Sequence, residues 1–140
     1  MKRIRIDNSQ ETLILTGMIV SDRFLRDVQV VLNINQFKST HSRKIARWCI
    51  EYYDENGKAP GVHIQDIFNL KSETGQIDPD ELQMIARTLD RISSEFDRAN
   101  NFNVDYVLKR AEAFFGKEDL KNLCEELLEL AENDTLEAWH

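Results

Sequence analysis

The sequence predicts an all-α protein, in which a helical bundle forms a head and an antiparallel helical hairpin follows it. Five glycines and two prolines are found among 140 residues, whereas these two residue types make up roughly 12% of average proteins. So few turn-forming residues disfavour a β-sandwich or barrel. Helix-capping residues precede several amphipathic stretches, one of which repeats its apolar residues as a heptad. With 41% hydrophobic and 31% charged residues, the composition is that of a globular protein.

Two helices are predicted near the amino terminus. The first begins at the capping-box pattern of Asn8 and Glu11 and continues through an apolar run to Val20. A buried strand also fits that run, but the cap favours a helix. Ser21 can cap a second, short helix whose apolar side begins at Phe24.

Two further helices complete the predicted head. The third helix starts at Ser39 or Thr40 and ends at Gly57, and a fourth spans 62–70 and stops near Gly75. One apolar stripe runs along the third helix and consists of Ile45, Trp48, Cys49 and Tyr52.

The clearest helix start lies at Asp78. Asp78 fits the N-cap, Pro79 the first helical position and Glu81 the third, while Ile77 is placed to contact Leu82 as a hydrophobic staple. From there the apolar residues repeat at the alternating spacing of a heptad seam, and they are Leu82, Ile85, Leu89, Ile92 and Phe96.

A last helix is predicted after Asn103. Asn103 can cap it, and the loop that begins at Asn100 has only four residues, so the two long helices are expected to run antiparallel. Near Gly116 the apolar pattern shifts by one insertion, which predicts a kink or a change of partner. Beyond that point a second seam consists of Leu120, Leu123, Leu127 and Leu130.

These elements divide the chain into a helical head, residues 1–76, and a helical hairpin, residues 77–140, which together form one structural unit. Phe115 and Leu128 lie off the strict seams, so they must either dock on the head or meet another chain. Packing within the chain and self-association both remain open. The candidate residues for the hairpin and its self-association are Leu82, Ile85, Leu89, Ile92, Phe96, Phe115, Leu120, Leu123, Leu127 and Leu128.

Charge is distributed unevenly, although the net charge is −7. Residues 1–50 contain nine Lys/Arg and four Asp/Glu, whereas residues 51–140 contain nine Lys/Arg and twenty-one Asp/Glu. The two halves are therefore expected to face different partners. Arg43, Lys44 and Arg47 form the candidate basic face for docking an acidic or phosphate-bearing partner, with a merely solvated face and direct DNA contact as the alternatives.

Motifs for catalysis are not found. Neither Gly57-Lys58 nor Gly116-Lys117 completes the Gly-x4-Gly-Lys-Ser/Thr phosphate loop. His41, Cys49 and His63 are spaced too widely for a zinc site. We therefore expect no catalytic residue, cofactor or metal in this chain. Two cysteines without a CxxC spacing, together with the lack of a signal peptide, predict a cytoplasmic protein.

Several segments resemble, in order and interval, the amino-terminal domain of replicative DnaB-type DNA helicases, especially phage and prophage versions. Residues 11–20 are similar to its opening helix, E-x-x-V-L-G-x-M-L, and residues 24–28 to the element that follows. Phe37, His41 and 43–46 resemble the segment F-x-x-x-x-H-x-x-I-F. The turn Gly-Lys-Ala-Pro at 57–60 resembles the family's G-x-P turn, although Gly-Val-His follows here where the family commonly has Ile-Asp.

The resemblance implies an all-helical, non-catalytic domain that assembles into dimers and rings and contacts primase or a helicase loader. It also implies a RecA-like core elsewhere in the parent protein, which would bind ATP and Mg²⁺ and make the main DNA contacts, so the chain is expected to be a fragment of a helicase. The alternative is a free-standing helical adaptor of a phage or bacterial regulator. A small helical hydrolase is disfavoured because no convergent site is evident.

We expect the isolated chain to show no ATP hydrolysis or strand unwinding, because it lacks a phosphate-binding loop. Phosphate release from ATP by the pure protein measures this. Turnover that a substitution within this chain abolishes would contradict the expectation.

Overall fold

The computed structural model describes residues 9–99, 102–116 and 127–129, and in these ranges the chain forms helices and turns. The all-α prediction is confirmed. A 3₁₀ turn at Ile34–Gln36 lies between the second and third helices. The helices are α1 (Ser9–Val20), α2 (Asp22–Val28), α3 (Thr40–Asn56), α4 (His63–Glu73), α5 (Pro79–Ala99) and α6 (104–116), with 127–129 also helical.

The boundary between α1 and α2 follows from the predicted cap. Ser21 has an extended backbone, with φ −124° and ψ 117°, and its Oγ accepts a hydrogen bond from the backbone N of Phe24 at 3.0 Å. This bond satisfies one of the amides that a helix leaves without an internal partner at its start. The chain therefore turns at Ser21 instead of continuing α1.

The end of α3 also lies where the sequence predicts it. Gly57 adopts φ +69°, the left-handed conformation that glycine tolerates best, and its N donates to the carbonyl O of Tyr53 at 2.7 Å. At the start of the same helix, Ser39 occupies the cap position but makes no side-chain capping bond.

The starts of α5 and α6 are confirmed as well. Asp78 Oδ2 accepts from the backbone N of Asp80 at 3.0 Å, and Asn103 Oδ1 accepts from the backbone N of Tyr106 at 3.0 Å. Both are local bonds that an Asx side chain forms at a helix start. The shift predicted beyond Gly116 lies outside the described residues.

One hydrophobic core joins the two predicted parts of the chain. Helix α1 packs against α2, α3 and α5, and α5 also packs against α3, so the described residues of the predicted head and hairpin share the same interior. The buried apolar residues come from every helix from α1 to α6 and from the segment before α3. They are Ile14, Leu15, Met18 and Ile19 of α1, Phe24, Leu25 and Val28 of α2, Phe37 before α3, Ile45, Ala46, Trp48 and Cys49 of α3, Ile64 of α4, Ile85, Leu89 and Ile92 of α5, and Val107, Ala111 and Phe115 of α6.

Helix α6 is anchored to the head by aromatic contacts near both ends. Just before it, the ring of Phe102 meets that of Phe24 edge to face, with centroids 5.8 Å apart. Near its other end, the ring of Phe115 meets that of Phe37 at 5.6 Å, again edge to face. Edge-to-face aromatic pairs add to the stabilisation from buried area.

These contacts correct the prediction for Phe115. Its side chain is 1% exposed and fills the core beside Phe37, so its assignment to a self-association surface is wrong. Of the two alternatives for this residue, docking on the head is the one that occurs.

Within the described ranges, no helix combines the length and the apolar character needed to cross a lipid bilayer.

The close packing of α1 depends on a missing side chain at Gly17. A Cβ atom there would lie 2.6 Å from Phe102 Cζ and 2.6 Å from Phe24 Cδ2. Both rings belong to or pack against the core, so they have little room to move. Glycine at this position therefore allows the Phe24–Phe102 pair to lie directly on the helix backbone.

We expect Gly17→Ala to destabilise the protein, because overpacking costs about 1–3 kcal/mol and exceeds the roughly 0.5–1 kcal/mol that alanine contributes inside a helix. The matched control is Gly116→Ala, where an added Cβ would meet nothing within 4 Å. Urea unfolding followed by circular dichroism measures both. Equal unfolding midpoints for the two variants would contradict the packing argument.

Candidate functional site

The most unusual polar feature of the described structure lies at the junction of α1, α3 and α5. Glu11, in the first turn of α1, is only 3% exposed. Its Oε2 accepts a hydrogen bond from the backbone N of Lys38 at 2.6 Å, while its Oε1 is buried without a hydrogen-bond partner. A buried acceptor left without a donor costs about 1–3 kcal/mol. Glu11 therefore ties α1 to the segment before α3 at an energetic cost.

A second carboxylate reaches the junction from α5. Glu81 Oε1 lies 3.7 Å from Lys44 Nζ of α3, and the two side chains are only 20% and 32% exposed. The other oxygen, Oε2, is buried without a hydrogen-bond partner. This ion pair connects the first turn of α5 to α3. As at Glu11, one oxygen of the carboxylate has no hydrogen-bond partner.

His41, in the first turn of α3, lies within electrostatic reach of both carboxylates. Burial lowers the pKa of His41 below its ordinary value, and the charges of Glu11 and Glu81 oppose this without overcoming it. Desolvation disfavours the imidazolium form of a buried histidine. The fold therefore favours neutral His41.

Sequence reasoning missed this junction because it assigned both carboxylates to helix capping. Glu11 instead reaches a backbone amide 27 positions away, and Glu81 reaches Lys44. A usable signal was nevertheless present. Glu11 lies one turn before Leu15 and Glu81 one turn before Ile85, so each carboxylate continues the buried stripe of its helix.

The contacts of the junction connect helices: Glu11 bonds to the segment before α3, and Glu81 pairs with α3. In the part of the chain that the structure describes, no three or more His, Cys, Asp or Glu side chains are placed to hold a metal ion. Cys49 lies in the core, where burial raises the pKa of its thiol and so disfavours the nucleophilic thiolate. The junction thus places His41 of α3 near the two carboxylates that join α1 and α5 to this part of the fold.

The predicted basic face is divided by the fold. Arg43 Nε donates to the carbonyl O of Phe37 at 2.8 Å, and Lys44 pairs with Glu81. Arg47 is exposed and lines a shallow groove of about 550 Å³ beside residues 29–35. The expectation that three cations project together is therefore corrected, since two of them are engaged within the fold.

The predicted self-association residues separate into three groups. Ile85, Leu89 and Ile92 are buried in the core of the single chain, while Leu82 and Phe96 are half-buried. Leu120 and Leu123 lie outside the described residues. Leu127 and Leu128 are 54% and 65% exposed, so both are accessible in the described part of the chain.

An apolar groove of about 510 Å³ opens where the end of α1, the start of α4 and the second half of α5 meet. Its walls include Val20, Val62, Ile64 and Phe96. Val62 is 84% exposed, so this groove is continuous with apolar surface.

Comparison with known proteins finds no family model, no curated protein and no solved structure that matches this chain.

We expect His41 to make stability depend on pH. Because its pKa is lowered in the fold from an ordinary value of 6.5, the unfolded chain takes up the proton first as pH falls, and the free energy of unfolding decreases. His41→Gln removes this dependence. Urea titrations from about pH 8 to about pH 5, above the range in which most carboxylates titrate, measure it.

The matched control is His63→Gln, since His63 is exposed on α4. The wild type and the control are expected to lose stability between the two pH values by more than His41→Gln does. The same pH dependence in all three proteins would show that His41 has no such effect.

Proposed function

We propose that the chain is the amino-terminal oligomerisation and partner-docking domain of a DnaB-like replicative DNA helicase. It is non-catalytic by itself, organises the helicase ring and contacts primase or a helicase loader in the cytoplasm. The RecA-like core of the parent helicase would bind ATP and Mg²⁺ and make the main contacts with DNA.

The observation that carries this proposal is the agreement between motifs and structural elements. The opening motif coincides with α1 and the next with α2, while the third enters α3 and the G-x-P turn links α3 to α4. The residues that define these motifs are also structural. Phe24 and Phe37 are fully buried, and Pro60 of the turn is among the largest fully buried side chains. Residues that carry the resemblance are therefore also residues buried in the interior of this fold.

Accessible apolar surface supports the oligomerisation part of the proposal. Leu127 and Leu128 are adjacent, helical and largely exposed. Exposed apolar residues that cluster commonly mark contacts between proteins. Arg47, also exposed, supplies a cation for an acidic partner surface.

We expect the chain to self-associate and the double variant Leu127→Glu/Leu128→Glu to weaken this at least about tenfold, because charges would enter an apolar contact. Sedimentation velocity over a concentration series measures the association, and circular dichroism checks that helicity is kept. Val30→Glu is the control, since Val30 is 87% exposed on a different part of the chain.

Partner docking is tested by titrating the chain with the primase and the loader encoded in the same genome, using isothermal calorimetry. Binding to either partner, weakened by Arg47→Glu, supports the proposal. A chain that stays monomeric at high micromolar concentration and binds neither protein overturns it and favours the free-standing adaptor.

A further inference from the structure

A second groove, between α3 and α4, combines an apolar floor with an acidic rim. It has a volume of about 420 Å³ and runs along Trp48 to Glu55 of α3 and from Ile67 of α4 to Thr74 just after that helix. Each wall is about two helical turns, or roughly 10 Å, long. The floor includes Trp48 and Ile67, while Leu70 at the edge is 64% exposed.

The two walls of this groove are joined by packing within the fold. Tyr52 of α3 lines the groove and stacks on His63 at the start of α4, with ring centroids 6.1 Å apart and planes 19° from parallel. Trp48 is 5% exposed and belongs to the core. The groove is therefore a formed feature that needs no rearrangement of the helices to accept a side chain.

The acidic rim consists of Glu51 and Glu55, which lie one helical turn apart on α3 and are both exposed. Among the described residues, no ion pair joins either carboxylate to a cation. Lys71 of the opposite wall is the basic residue that lines the groove. The α3 wall thus presents two exposed carboxylates without an ion pair beside apolar surface, and the chain from residue 51 onward is strongly acidic, with twenty-one Asp/Glu against nine Lys/Arg.

We propose that this groove docks a basic amphipathic helix of a protein partner. An aliphatic side chain of the partner packs against Ile67 and Leu70 beside the small exposed edge of Trp48, and lysine or arginine residues one turn apart face Glu51 and Glu55. Residues spaced by one turn lie about 5–6 Å apart on any helix, so the spacing of the two carboxylates matches that of the two cations. Apolar anchors laid into a groove are the usual mode of helix recognition.

The charge pairs contribute mainly selectivity. Exposed ion pairs contribute little to affinity by themselves, but complementary charge favours encounter with a basic partner and disfavours an acidic one. The apolar floor supplies the attraction, and the rim decides which helix is accepted. This inference concerns a surface separate from Leu127 and Leu128, so it stands independently of the helicase proposal.

The test is a titration of the full chain with a labelled leucine- and lysine-based amphipathic peptide of about 14 residues, long enough to form helix on binding. Fluorescence anisotropy measures affinity. Two control peptides replace every lysine by glutamate or scramble the order of the residues. In a Trp139→Phe background, the indole N–H resonance of Trp48 reports whether the groove is occupied.

The expected result is that the basic peptide binds, shifts the Trp48 resonance and loses affinity as salt is raised, while the acidic and scrambled peptides bind at least about tenfold more weakly. Glu51→Lys/Glu55→Lys should lower the affinity for the basic peptide at least about tenfold and improve that for the acidic peptide. The matched control, Asp90→Lys/Glu112→Lys, changes two exposed carboxylates on α5 and α6.

Three results would overturn the proposal. An equal loss of affinity in the control variant would mean that net charge alone attracts the peptide. An unmoved Trp48 resonance would place the peptide elsewhere. Equal binding of acidic and basic peptides would show that the rim does not select a partner.

Discussion

The burial of α1 on all sides is the constraint on which the rest of this fold depends. Leu15 and Met18 are fully buried, and Ile14 and Ile19 on other sides of the helix are nearly so. A helix that is apolar all round must be covered by other elements, and α2, α3 and α5 meet it directly. Gly17 lets aromatic rings approach its backbone closely. The head and the following helices therefore share one interior.

Because α1 is buried, its polar side chains must find hydrogen-bond partners inside the protein. Thr16 Oγ1 donates to the carbonyl O of Thr12 at 2.7 Å, which satisfies the hydroxyl within the helix itself. Glu11 cannot be satisfied in the same way, and it reaches the backbone of Lys38 instead. With Glu81 arriving from α5 and His41 from α3, the amino-terminal ends of three helices meet around groups whose charges are costly to bury. The polar junction is thus a product of burying α1.

Three features on the surface of the described residues differ in character. These features are the acidic groove between α3 and α4, the apolar groove at the end of α1, which α4 also lines, and the exposed pair Leu127 and Leu128. Exposed apolar residues and grooves of this kind commonly mark contacts between proteins. Because the two halves of the sequence differ in charge, each would attract a partner surface of the opposite charge.

The sequence by itself determined the helical class and most helix boundaries, because the signals for them are local. The bonds at Ser21, Gly57, Asp78 and Asn103 each join groups no more than four residues apart, so residue type and spacing suffice to predict them. Only the tertiary structure decided which surfaces meet. Periodicity shows that a residue faces an interior but not which element covers it, so the contact of Phe115 with Phe37 and the reach of Glu11 to Lys38 depended on the packing of distant segments.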